Sequence, residues 1–182
     1  MRNLRINIVD QYWTGKNPDN KTDPCSYGLL SITANDVPIV GEGDERWTIS
    51  TSGLMLLRTL SNDFASANSR FPLIQHCGQL GMIGCPMHVT WDVFHQGTMV
   101  TLKNFQKLLS TDKRDLIHFD VALELPLVSY VREVVRFADG IKFFFQKQPR
   151  EFAKDDSTAD YESFWQEFNG LLEKNRKRLK EK

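Results

Sequence analysis

The feature that most constrains this chain is the pattern on either side of Gln96-Gly97. Val89, Trp91 and Val93 alternate with Thr90, Asp92 and Phe94, and after the turn residues a second strand-like run occupies residues 98 to 102. Period-two alternation buries one face of a strand, and a glycine turn between two such runs folds the chain back antiparallel to itself. A hairpin at this position demands an antiparallel sheet. The remaining strands must come from the rest of the chain.

Leu4, Ile6 and Ile8 alternate with Arg5, Asn7 and Val9 as an opening strand. Residues 10 to 25, with Pro18, Pro24 and an Asn/Asp cluster, read as a loop excursion whose base Tyr12 and Trp13 could pin. Residues 26 to 33, the turn Ala34-Asn35-Asp36 and residues 37 to 40 make another hairpin, with Pro38 favouring an edge position. Strand character returns at residues 47 to 50, and Thr51 or Ser52 then caps a helix carrying Leu54, Leu57, Leu60 and Phe64. The segment from Gln106 to His118 fits a short helix or a hairpin-like loop equally well. Phe119, Val121, Leu123 and Leu125 alternate with Asp120, Ala122 and Glu124, which predicts one strand near the middle of the sheet. Pro126 opens a helix reaching about Gln148, and Tyr161, Phe164, Trp165, Phe168, Leu171 and Leu172 stripe a final amphipathic helix over residues 157 to 182. That helix begins acidic and ends basic, each sign where its dipole favours it.

The expected fold is therefore α+β: a single globular domain over residues 1 to 182, with mostly antiparallel hairpins, one early helix and two C-terminal helices. A chain of 182 residues with 41% hydrophobic content can bury one substantial core. Lysine plus arginine equal aspartate plus glutamate at 23 each, so no net field attracts nucleic acid or an anionic membrane. No stretch approaches a membrane span or a signal peptide, and three cysteines, Cys25, Cys77 and Cys85, suit a reducing compartment. The expectation is a cytoplasmic protein with free thiols.

Chemistry-bearing residues concentrate between positions 71 and 105. Cys77, Cys85 and His88 form C-x7-C-x2-H with His76 adjacent, all of them zinc-ligand types, but the spacing lacks the paired C-x2-C or H-x3-H of common zinc sites. The expected state is metal-free and cofactor-free. A thiolate mechanism would need Cys77 or Cys85 with His88 or His95 as base and Asp92 as orienter, and no protease signature surrounds either cysteine. Gly78, Gly81 and Gly84 lack the lysine and following helix of a phosphate cradle. The basic end of the last helix has no interleaved aromatics, so a solvated helix end is preferred to a nucleic-acid site.

The order SITANDVPI, WTISTSGLMLLRTL, LIQHCG, the G-C-P of Gly84-Cys85-Pro86 and WDVFHQGTMVTL resembles the immunity proteins of bacterial contact-dependent inhibition systems, small cytosolic proteins encoded beside polymorphic toxins. The resemblance spans residues 31 to 105 and the plan of the C-terminal helices. It implies a non-enzymatic inhibitor that binds the C-terminal domain of one cognate toxin, often a nuclease, as a monomer in a 1:1 complex. No family residue carries over, because such surfaces vary with the toxin. From charge and aromaticity alone, Asp36, Glu42, Asp44 and Glu45 would steer a basic partner, with Arg46 and Trp47 beside them as contacts. The competing expectation is a thiol- or zinc-dependent hydrolase centred on residues 75 to 95.

Overall fold

The structure is a computed structural model that describes residues 3 to 13, 24 to 41, 43 to 44, 46 to 77, 84 to 148 and 158 to 181. Two antiparallel sheets and three helices share one hydrophobic core, as the α+β reading expects. In the first sheet β1 (Leu4–Trp13), β2 (Ser26–Ala34) and β3 (Val37–Val40) lie in that order, and β4 (Trp47–Thr48) also pairs with β2. The second sheet runs β5 (Ile74–Gln75), β6 (His88–Gln96), β7 (Met99–Leu108) and β8 (Leu116–Phe119), with β9 (Leu123–Pro126) also on β7. The helices are α1 (Ile49–Arg58), α2 (Leu127–Lys147) and α3 (Thr158–Lys180).

The hairpin at Gln96-Gly97 forms β6 and β7, with Gly97 at φ +60° in the turn. Gln96 pairs with Met99, so the turn residues are Gly97 and Thr98. At the other hairpin, between β2 and β3, Asn35 and Asp36 both take positive φ, +53° and +66°. Two successive positive-φ residues match the right-handed twist of the flanking strands, and Asn and Asp are the non-glycine residues that tolerate it best.

Three expectations need correction. Residues 10 to 13 are not loop: β1 continues to Trp13 because a bulge between Ile8 and Asp10 absorbs the break in alternation. Gly28 makes that bulge possible, since a Cβ there would lie 1.9 Å from the Asp10 carbonyl oxygen. Residues 119 to 125 are not one central strand. They divide into the end of β8 and the start of β9, both on the outer side of β7, and the interruption faces Lys103 and Asn104, where Asn104 takes φ +57°. Finally, α1 begins at Ile49 rather than after Thr51, with Thr48 at the N-cap position but making no side-chain cap bond, and Ser52 Oγ donates back to the Thr48 carbonyl at 2.6 Å.

The helices fill the space beside both sheets. Gly53 of α1 lets α2 and α3 come close; an added Cβ would sit 2.4 Å from Ile141 Cδ1 and 3.0 Å from Phe168 Cε2. Helix α2 also closes the open edge of β1, because Glu133 Oε1 accepts from Ile6 N–H at 2.6 Å and Arg136 Nη2 donates to Ile6 O at 2.8 Å. An edge strand so occupied cannot pair with another chain at that residue. Trp13 docks on the end of the same helix, its indole N–H donating to Gln148 O at 3.2 Å and its ring meeting Phe144 and Phe145. The basic end of α3 faces inward in part: Arg176 pairs with Asp139 at 2.7 Å, and Arg178 Nη1 donates to Leu60 O at 3.2 Å. No helix among the described residues is long and apolar enough to cross a membrane.

Candidate functional site

Strand β6 organises the chemically distinctive region. Its first residues pair with β5, Ile74 opposite Val89 and Gln75 opposite His88, so the ladder brings residues 76 and 77 against residues 85 to 87. The His76 N–H donates to Met87 O at 3.2 Å, which extends the ladder by one bond. Beyond it His76 Nδ1 lies 3.1 Å from Cys85 Sγ, and the Cys85 N–H donates to Cys77 Sγ at 3.0 Å. The ligand atoms of His76, Cys77 and Cys85 all fall within 4.8 Å of one another.

This closeness depends on Gly84. A Cβ there would lie 2.4 Å from the Cys77 carbonyl oxygen and 2.7 Å from Cys77 Sγ, so any other residue would push the two cysteines apart. The other side of His76 is held by the first sheet: Trp47 meets the imidazole edge-on at 6.2 Å, and Thr48 Oγ1 donates to His76 O at 3.4 Å. Burial, followed by the neighbouring Cys77 side chain, pushes the Cys85 thiol up from its ordinary pKa. Cys85 also lines a cavity of about 280 Å³ together with Ser66, Arg70, His88, Thr90 and Gln106.

The acid-base set expected for a thiolate mechanism is dispersed. His88 Nδ1 lies 2.7 Å from Pro86 O, and because a carbonyl only accepts, Nδ1 must carry the proton. His95 stands at the far end of β6, seven residues or about 23 Å along the strand, with its Nδ1 3.0 Å from Asp63 Oδ1. Asp92 orients neither histidine. It is only 7% exposed and accepts from Ser66 N–H at 2.8 Å, Ser66 Oγ at 2.7 Å and Asn104 Nδ2 at 2.6 Å. Burial alone would raise its pKa, but these hydrogen bonds outweigh it and hold the carboxyl below the ordinary value. The imidazole that meets a thiol is His76, which sequence spacing did not single out as a base.

Among the described residues, those expected to meet a partner do not form one patch. Trp47 is 0% exposed, and its indole is a wall of the core rather than a surface anchor. Asp44 is half-buried, with Lys107 Nζ 3.0 Å from both of its carboxylate oxygens, and it also accepts from Gly41 N–H at 2.9 Å. It fastens the end of β3 to β7, so its charge is largely neutralised. Arg46 is exposed, its guanidinium 5.8 Å from the Tyr27 ring centre. Asp36 is exposed at the tip of the β2–β3 hairpin, beyond Ala34, whereas Trp47 pairs with Gly28. Six residues of β2 therefore separate those ends, about 20 Å. Glu42 and Glu45 lie outside the described residues.

One apolar outcrop was not singled out from sequence. Val9, the extra residue of the β1 bulge, is 60% exposed and stands on the outer face of the first sheet beside Leu29, 41% exposed. Exposed Arg5, Asn7 and Asp10 flank Val9 along β1. The signal that could have found the pair is Gly28, which lies opposite Gln11 and close against the Asp10 carbonyl: a glycine inside a strand pattern marks a bulge, and bulges redirect side chains. Comparison with known protein families, curated proteins and solved structures finds no match to this chain. The fold and the site define a class, an α+β domain with a His-Cys-Cys cluster at a strand mouth.

Proposed function

We propose that this protein is a non-enzymatic inhibitor that binds one cognate toxin domain in the cytoplasm, in the manner of the immunity proteins it resembles. The observation that carries the reading is the outward-facing pair Val9, in the β1 bulge, and Leu29 on β2, with exposed Arg5, Asn7 and Asp10 along β1 beside them. An apolar centre with a polar rim is how protein-recognition surfaces are built. Asp36, exposed on a rigid turn, supplies a charge for steering a basic partner, while Asp44 and Trp47 serve the fold. The complex needs no cofactor and has one copy of each chain.

The test is co-purification with the toxin C-terminal domain encoded beside this chain, followed by calorimetry. A Kd near or below about 1 nM is expected, with the double variant Val9→Asp and Leu29→Asp weakening it by about 100-fold or more at unchanged Tm. Failure of the adjacent toxin domain to bind at micromolar concentration rejects the reading.

A second reading, a thiol- or zinc-dependent hydrolase centred on residues 75 to 95, has one observation in its favour: the 3.1 Å contact between His76 Nδ1 and Cys85 Sγ beside a cavity of about 280 Å³. It requires turnover of ester or amide substrates that disappears in Cys85→Ala. Equal background hydrolysis by both proteins removes it.

A further inference from the structure

We propose that His76, Cys77 and Cys85 form a zinc site that staples the chain at the entrance to β6. The proposal goes beyond toxin binding and stands or falls separately from it. Three observations support it.

The donor set comes first. Two thiols and one imidazole are the ligand types that zinc, a borderline-soft cation, selects over oxygen sites. Zn–S bonds of about 2.3 Å and Zn–N bonds of about 2.0 Å place tetrahedral ligands roughly 3.5 Å apart. The three donor atoms already lie within 4.8 Å of one another, so only small side-chain adjustments are needed.

The backbone supplies the second observation. The Cys85 N–H donates to Cys77 Sγ at 3.0 Å, the kind of bond that stabilises a sulfur carrying negative charge and fixes its direction. His76 is oriented in the same way by fixed neighbours: its N–H donates to Met87 O, its carbonyl accepts from Thr48 Oγ1, and Trp47 walls its ring. The third observation is Gly84, the residue whose missing side chain lets Cys85 approach Cys77. The same closeness that these hydrogen bonds need is what a cation site requires of its donor atoms.

Binding is balanced as a ligand exchange. Cys77 and Cys85 each lose a thiol proton to buffer, His76 offers the Nδ1 lone pair with its proton on Nε2, and zinc releases all of its waters but one, which stays as the fourth ligand of the tetrahedron. Nothing is oxidised. Cys85 belongs both to this cluster and to the 280 Å³ cavity, which places the site at a surface that small molecules can reach.

The experiment uses the full chain, purified without a histidine tag, stripped with chelator, kept reduced and given zinc sulfate alone. About one equivalent of zinc is expected to remain after desalting. Cobalt(II) should give thiolate-to-metal charge-transfer absorption together with the intense visible bands of a tetrahedral site. Cys77→Ala, Cys85→Ala and His76→Ala should each lose stoichiometric zinc, while His118→Ala, altering an exposed histidine of β8, should keep it. Gly84→Ala leaves every ligand in place but crowds Cys77, and is expected to weaken zinc binding by about tenfold or more. It covers the case in which a ligand variant does not fold. Less than about 0.1 equivalent of zinc with no cobalt bands overturns the proposal, as does metal uptake that survives loss of both thiols. A Cys77–Cys85 disulfide whose reduced form takes up no zinc overturns it as well. Because zinc alone is the probe, failure here leaves the toxin-binding test untouched, and the reverse also holds.

Discussion

Asp92 and the His76-Cys77-Cys85 cluster belong to the same strand and its entrance, yet they treat polarity in opposite ways. Around Asp92 the chain aims donors at an acceptor: Ser66 N–H, Ser66 Oγ and Asn104 Nδ2 converge on one carboxylate. Around Cys85 it gathers three metal-ligating atoms, two sulfurs and an imidazole nitrogen within 4.8 Å, linked by the Cys85–His76 contact and by the bond from the Cys85 N–H to Cys77 Sγ. The first arrangement is complete within the protein and cross-links residues 66, 92 and 104. The second gains most from a cation. A buried polar group in a β-strand thus declares a structural or a functional role by what faces it, not by its own chemistry.

The largest expected effect is on the wall behind the cluster. Trp47→Ala removes a wholly buried indole that packs against His76, and should cost about 4 kcal/mol by chemical denaturation. Zinc should recover part of that loss if the cluster is a metal site, since a ligand that binds only the folded state raises its stability. A loss of less than about 1 kcal/mol would instead return Trp47 to the surface role that its sequence context suggested.

Next comes Asp92→Ala, which leaves Ser66 and Asn104 donors without their acceptor and should cost roughly 2–3 kcal/mol at neutral pH. The sign of its pH dependence follows from the lowered carboxyl pKa. The folded state holds the proton less tightly than the unfolded state, so the stabilisation is present above about pH 4 and is lost as pH falls through the lower folded value. The variant should lack that part of the acid slope. An unchanged acid limb would mean that the Asp92 carboxylate does not pin residues 66 and 104 to β6.

These two residues also show what the sequence could and could not reveal. The β6–β7 hairpin and the three helices were legible because Val89, Trp91 and Val93, and later Phe164, Phe168 and Leu172, bury at the period of their elements. The break between β8 and β9 was not, because its cause, Asn104 at positive φ, lies on the neighbouring strand. The same limit governed the site. Cys77 and Cys85 were visible as zinc-ligand types, but their C-x7-C spacing became meaningful only when the β5–β6 ladder laid the two ends of the intervening segment together. Trp47 looked like a surface aromatic because its sequence neighbours are charged, whereas pairing with Gly28 turns it inward.

A smaller effect is expected at Tyr130, a wholly buried phenol whose oxygen lies 2.7 Å from Thr59 Oγ1. Burial raises its pKa to about 12. The unfolded phenol ionises near pH 10, so stability from the neutral folded form is complete below about pH 10 and declines as pH rises toward 12. Tyr130→Phe should cost about 1 kcal/mol at neutral pH and flatten the alkaline limb of the unfolding curve. Tyr130 resembles Asp92 in being answered by a partner inside the protein. A neutral-pH loss with no change in alkaline slope would break that likeness and assign the effect to packing.

The smallest effect separates the two regions most sharply. Cys85→Ser exchanges one small half-buried side chain for another and should change stability by less than about 0.5 kcal/mol in chelator, because the fold does not rely on a cation-free thiol. In saturating zinc the wild type should gain Tm while the variant gains little, and the difference should grow with free zinc as mass action requires. Asp92→Ala should behave in the opposite way, losing stability with or without zinc and keeping the full zinc-dependent increment. If Cys85→Ser lost as much stability in chelator as Asp92→Ala does, the cluster would be another closed structural pin. The distinction between a polar group satisfied by the chain and one presented to a ligand would then fail on this strand.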